Sequence, residues 1–142
     1  MRAVLNTLGD GFVEVVDDST LLAIVSSQPD QSHGLIRGEA IQAPILEAPG
    51  QTRVGRFGWK DQHGSLLCFA ADAYVNEMGV TSRLRMVDPS SVCKVTSDPE
   101  DGPHALGLAD IDPVAQFVPG TKVPPRDASG DYAGFDGGAK GL

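Results

Sequence analysis

The 142-residue sequence is short of basic side chains, with 11 Lys and Arg against 19 Asp and Glu and a formal net charge of −8. That balance argues against a nucleic-acid-binding surface, whose footprint is basic. Aromatic residues make up only 6%, so few bulky side chains are at hand to fill a core. No run approaches the roughly 18 apolar residues of a membrane span, and the first ten residues lack the apolar segment of an export signal. Cys68 and Cys93 stand alone, in neither a CxxC nor a CxxCH pair, and two free thiols are expected. GxGxxG, P-loop and GxSxG sequences are absent, which removes the minimum apparatus for dinucleotide, nucleotide and hydrolase chemistry. His33, His63 and His104 share no HxxxH, HxxE or CxxH spacing, and no metal site is expected.

What the chain does have is turn material, 17 glycines and 10 prolines in a sequence that is 41% hydrophobic. Long loops around a thin core follow, although a domain of this length still buries roughly 68–70% of its unfolded surface. Phe12, Val13, Val15 and Val16 alternate imperfectly with Glu14. Asp17, Asp18 and Ser19 are N-cap types before a short amphipathic helix over Thr20–Ser27. Leu21, Ile24 and Val25 share its face, and Pro29 stops it. Residues 28–51 are glycine, proline and polar around Ile41, Ala43, Ile45 and Leu46, which form either a short strand or a loop anchor. A loop of this length suits a functional element or a larger assembly. The strongest periodicity predicts a helix over Asp61–Val80, closed by Gly79. A shorter helix begins at Asp112-Pro113, with Val114, Phe117 and Val118 inward, and ends at Pro119-Gly120. Residues 128–142 read as a flexible glycine-rich tail beyond a folded region 1–127.

Three groups of residues could carry chemistry. Gly55-Arg56-Phe57-Gly58-Trp59-Lys60 holds the only tryptophan between two cations. An indole beside charge can stack or donate, although the same residues could anchor a loop and leave Arg56 and Lys60 solvated. Asn76-Glu77-Met78-Gly79 places a carboxylate, an amide and a thioether in one turn. Glu77 in a partly dry pocket would move protons near neutral pH, and on a wet surface it would not. Met78 and Met86 are possible axial thioethers for haem iron, but packing is the commoner use of a methionine. Asp98, Glu100, Asp101, Asp110 and Asp112 lack EF-hand spacing and read as a solvated acidic stretch.

Taken in order, Gly55–Lys60, Ser65-Leu66 and Asn76-Glu77-Met78-Gly79-Val80-Thr81-Ser82 resemble a di-haem c-type oxidoreductase family. It is termed thiol oxidoreductase or peroxidase-like, and is similar to bacterial di-haem cytochrome c peroxidases. The runs Ala105–Asp112, Ala115–Phe117 and Lys122–Asp127 extend the resemblance over about residues 10–127. The resemblance implies a mainly α, partial cytochrome c-like fold with short helices and long loops, and a periplasmic location. It implies haem c as cofactor, Trp59 between two haems in electron transfer, and Glu77 as the catalytic carboxylate. It places Arg56 and Lys60 against haem propionates and Met78 at the cofactor. An unbroken helix would separate Trp59 from Glu77 by about 27 Å at 1.5 Å per residue, so the Gly58–Gly64 stretch must fold back if both are to approach one haem. The sequence departs from the family in having no CxxCH and hence no covalent haem attachment site. A central fragment is therefore expected, partnered by the remaining haem-bearing segments or by an electron-transfer protein. The alternative is a haem-free structural or partner-binding module on the same scaffold, docking through residues 28–51 and the Phe57-Trp59 surface.

Overall fold

Asp17 accepts a hydrogen bond from the Ser19 amide and caps a helix, as its place before an apolar run predicts. The computed structural model describes residues 6–89, 101–104 and 106–123. Among these it is mostly helical, with four helices, a short two-stranded hairpin and loops. The imperfectly alternating stretch at the start is a helix, α1 (Asp10–Glu14). The helix after Asp17 is α2 (Asp18–Gln31), and it runs through Pro29 instead of stopping there. Proline at that point removes one amide donor, the partner of the Val25 carbonyl, and the last turn survives that loss. No residue of α2 is buried, and Ile24 lies exposed while Leu21 and Val25 are half-covered.

The Ile41–Leu46 patch contains a strand. β1 (Gln42–Pro44) pairs antiparallel with β2 (Thr52–Val54), with Ala43 opposite Arg53. Ala43 and Val54 point inward. The expected long helix is shorter at its start. Residues 57–63 form a turn closed by a Phe57–His63 bridge, and α3 (Leu66–Ala73) begins only after Ser65, whose hydroxyl accepts from the Cys68 amide at 3.1 Å. It continues as a π-helical turn, Tyr74–Met78, and closes at Gly79 with φ 73°, a left-handed cap that glycine adopts without strain.

The last helix, α4 (Ile111–Phe117), passes into a 3-10 turn at Val118–Gly120. Asp112 is not its cap. The Asp101 carboxylate, from another segment, accepts from the Asp110 and Ile111 amides, which supplies the helix start from a distance that local pattern does not show. The inward face also differs from expectation: Val114 is 37% and Phe117 71% exposed, and Ile111 is the buried residue. Ala71, Ala109 and Ile111 form the central cluster, with Leu67, Tyr74 and Leu84 against it. Most of α3's buried side chains are small, so the core is thin, as the composition predicts. The expected tail at 128–142, Cys93, Asp98, Glu100 and the Pro124–Asp127 part of the resemblance lie outside the described residues.

Candidate functional site

Arg56 turns inward from the turn that carries Trp59. Its guanidinium is 3% exposed and pairs with Asp18, while Nη1 donates to the carbonyls of Val16 at 2.6 Å and Val13 at 3.2 Å. Nε donates to the Val54 carbonyl at 3.1 Å. Arg53 adds ion pairs to Glu14 at 3.5 Å and Asp18 at 3.8 Å. Glu14 in turn accepts from the Leu66 amide at 3.1 Å. Burial raises the Glu14 carboxyl's pKa despite that bond and the two arginines. The cluster joins the end of α1, the start of α2, β2 and the first residue of α3. An open apolar hollow lined by Leu21, Ile24, Val25 and Val54 lies beside Arg56.

The turn after Arg56 folds back on itself. Arg56 and Phe57 amides donate to the His63 carbonyl at 2.9 and 3.1 Å, and the His63 amide donates to Phe57 at 3.0 Å. Three of its residues are left-handed: Gly58 (φ 79°), Lys60 (φ 57°) and Asp61 (φ 54°). For the two non-glycines this costs about 1–2 kcal/mol each. At Gly58 a Cβ would lie 2.6 Å from His63 Cδ2, so the site demands glycine twice over. Trp59 and Lys60 sit at the tip, with Trp59 58% exposed, while Phe57 is buried with its ring centroid 6.3 Å from that of Phe69.

Glu77 and Met78 lie in the π-helical turn at the other end of α3. Both are exposed: Glu77 is not in a dry pocket, and Met78 is not core. The wider helical turn places Asn76 so that its side-chain amide donates to the Asp72 carbonyl at 3.0 Å.

Between the two segments lies a polar network that the sequence reading missed. His63 is buried, its ring 6.2 Å from that of Phe69, and its Nε2 lies 3.2 Å from Asp72 Oδ2 on α3. The other oxygen of Asp72 pairs with Arg85 at 3.4 Å. The Gln62 amide nitrogen is 3.1 Å from His63 Nε2 and 3.4 Å from Asp72 Oδ2. Burial lowers the His63 pKa, with Arg85 adding to this and Asp72 opposing it. The sequence carried a weak signal only: a histidine just before an apolar helix with an aspartate further along it.

Two further groups are accounted for locally. The buried Cys68 thiol donates to Glu47 Oε2 at 2.9 Å and accepts from the Leu46 amide at 3.2 Å. Burial and the neighbouring Glu47 raise its pKa, the environment of an unreactive thiol. Asp101, His104 and Asp110 bring possible metal-ligand atoms within 4.8 Å of one another. Both oxygens of Asp101 already accept from the first amides of α4, and His104 and Asp110 form an exposed pair at 2.8 Å. No described helix is long and apolar enough to cross a membrane. Comparison with family models, with curated proteins and with solved structures finds no match for this chain.

Proposed function

We propose that the chain is a segment of a di-haem c-type oxidoreductase, peroxidase-like and periplasmic, that serves haem-dependent electron transfer in the complete molecule. The observation that carries this reading is the order and spacing of Gly55–Lys60, Ser65-Leu66 and Asn76–Ser82 along one chain. Short helices joined by loops are compatible with a partial cytochrome c-like fold. The residues fit a haem unevenly. Trp59, Lys60 and Met78 are exposed and can meet a porphyrin edge, whereas the Arg56 guanidinium is engaged by Asp18 and four backbone carbonyls. When bound, the haem supplies one-electron chemistry and activation of a peroxide. The chain's own part would be an indole at the tip of the turn, a lysine for a propionate, a thioether, and Glu77, which is exposed in this chain and would pass a proton only where the haem-bearing segment covers it. Covalent attachment falls to a polypeptide that carries CxxCH, since this sequence has none.

A second reading, a haem-free structural or partner-binding module, draws its support from Arg56, whose burial leaves it no role at a propionate. The test is expression in a periplasm equipped for c-type maturation, with and without a CxxCH-bearing partner or extension. The oxidoreductase reading expects a Soret band that travels with the chain only in the first case. A chain that stays helical and colourless in both overturns it in favour of the module.

A further inference from the structure

The turn that presents Trp59 is held in a conformation that two of its residues resist, and one buried side chain spans the gap between that turn and α3. Lys60 and Asp61 are left-handed without being glycine. His63 closes the turn through its backbone and reaches Asp72 through its ring. Gly58 lies so close to that ring that even a methyl group would collide with it. Phe57 and His63 also each meet Phe69 on α3, and Gln62 reaches Asp72 at 3.4 Å.

We propose that His63 is a proton-operated latch, which holds the Trp59 turn against α3 when its imidazole is neutral and lets the turn go when it is protonated.

Among the described residues, the charged groups that face the imidazole are Asp72 from α3 and Arg85 from the Ser82–Arg85 turn. With its proton on Nε2, neutral His63 donates to Asp72 Oδ2 at 3.2 Å while Arg85 balances Oδ1, so the carboxylate is satisfied on both sides. A second cation inserted there is buried and faces Arg85 across a single carboxylate, which already carries that guanidinium. Asp72 favours the imidazolium and burial opposes it, and burial prevails. The group's folded-state pKa is thus depressed below its ordinary 6.5. For a base depressed in this way the latch is fully engaged above about 6.5 and weakens as pH falls from there through the folded-state value. The device operates whatever Trp59 meets in the complete molecule.

Trp59 is the only tryptophan, so its emission and its quenching by acrylamide report on the turn alone. In the full 142-residue chain, lowering the pH from 7.5 to 4.5 is expected to give a transition in both signals with a midpoint below 6.5, while far-ultraviolet circular dichroism stays constant. His63→Gln, which keeps a donor for Asp72 but does not titrate, is expected to abolish the transition. His104→Gln, at an exposed histidine, is expected to retain it. Asp72→Asn removes the group that steadies the charged imidazole inside the closed turn and weakens the bond that holds it there, so the turn opens at higher pH. That direction decides the matter if His63→Gln does not fold. A transition that survives in His63→Gln, or moves downward in Asp72→Asn, overturns the latch. So does a flat wild-type profile, or a loss of helix that coincides with the change in emission.

Discussion

Arg56 shows how a residue conspicuous in sequence can have partners that the sequence does not announce. Its place beside Phe57 and Trp59 marks it for a ligand, yet its guanidinium serves the backbone carbonyls of Val13 and Val16 and the Asp18 carboxylate. Those partners are far away in the chain, and no periodicity or motif announces them. Replacing Arg56 by methionine keeps most of the stem volume and removes the bonds. The carbonyls lose their donors, and Asp18, about a third exposed, regains water in part. The expected loss of stability is therefore about 2–3 kcal/mol, below the range for a fully buried pair. Urea denaturation of the two proteins measures it, and an unchanged midpoint would mean that the staple carries no weight.

At the proposed redox site Trp59, Lys60, Glu77 and Met78 are exposed. Trp59→Leu in the complete haem-bearing molecule should leave both haems bound and slow electron passage between them, as followed by stopped-flow reduction. Equal rates in the two proteins would remove the indole from the path. Glu77→Gln keeps the shape of the side chain and withdraws its proton chemistry, so peroxide turnover should fall by about 10²–10⁴-fold at unchanged haem content. Undiminished turnover would exclude Glu77 as the group that moves the proton.

On the scale of elements, helix existence was legible and helix limits were not. Asp17 as a cap, Gly79 as a left-handed terminator and Pro119-Gly120 near the end of α4 all follow from local chemistry. The missed limits share one cause, partners from elsewhere in the chain. The start of α3 is displaced because residues 57–63 find strand-like bonds with one another, and α4 starts early because Asp101 caps it. β2 escaped notice because three residues of mixed polarity carry no strand signal without β1 beside them. Ser65 is the local determinant that remains at α3, and Ser65→Ala should destabilise the protein by about 1 kcal/mol. A thermal melt reads this directly. No shift in the melting point would place the helix start under control of the Glu14–Leu66 bond instead of the hydroxyl.

At the level of the whole molecule, burial is concentrated in few side chains while large apolar ones face outward. Among the described residues Phe12, Val15, Leu35, Trp59, Leu106 and Phe117 are all more than half exposed. The composition foretold the thin core but not which face of α4 would be covered, because the cluster around Ala71 and Ala109 selects Ile111 and leaves Phe117 out. Two substitutions on this helix separate the two kinds of apolar residue. Ile111→Ala removes a fully buried side chain from the central cluster and should cost about 2–5 kcal/mol, a large share of what so small a core can supply. Phe117→Ser lies outside the packing, so its effect on stability should stay within about 0.5 kcal/mol, while binding of an apolar dye falls. If instead Phe117→Ser destabilised the isolated chain as Ile111→Ala does, that ring would be structural. The outward apolar face could then not be counted as surface awaiting the rest of an assembly.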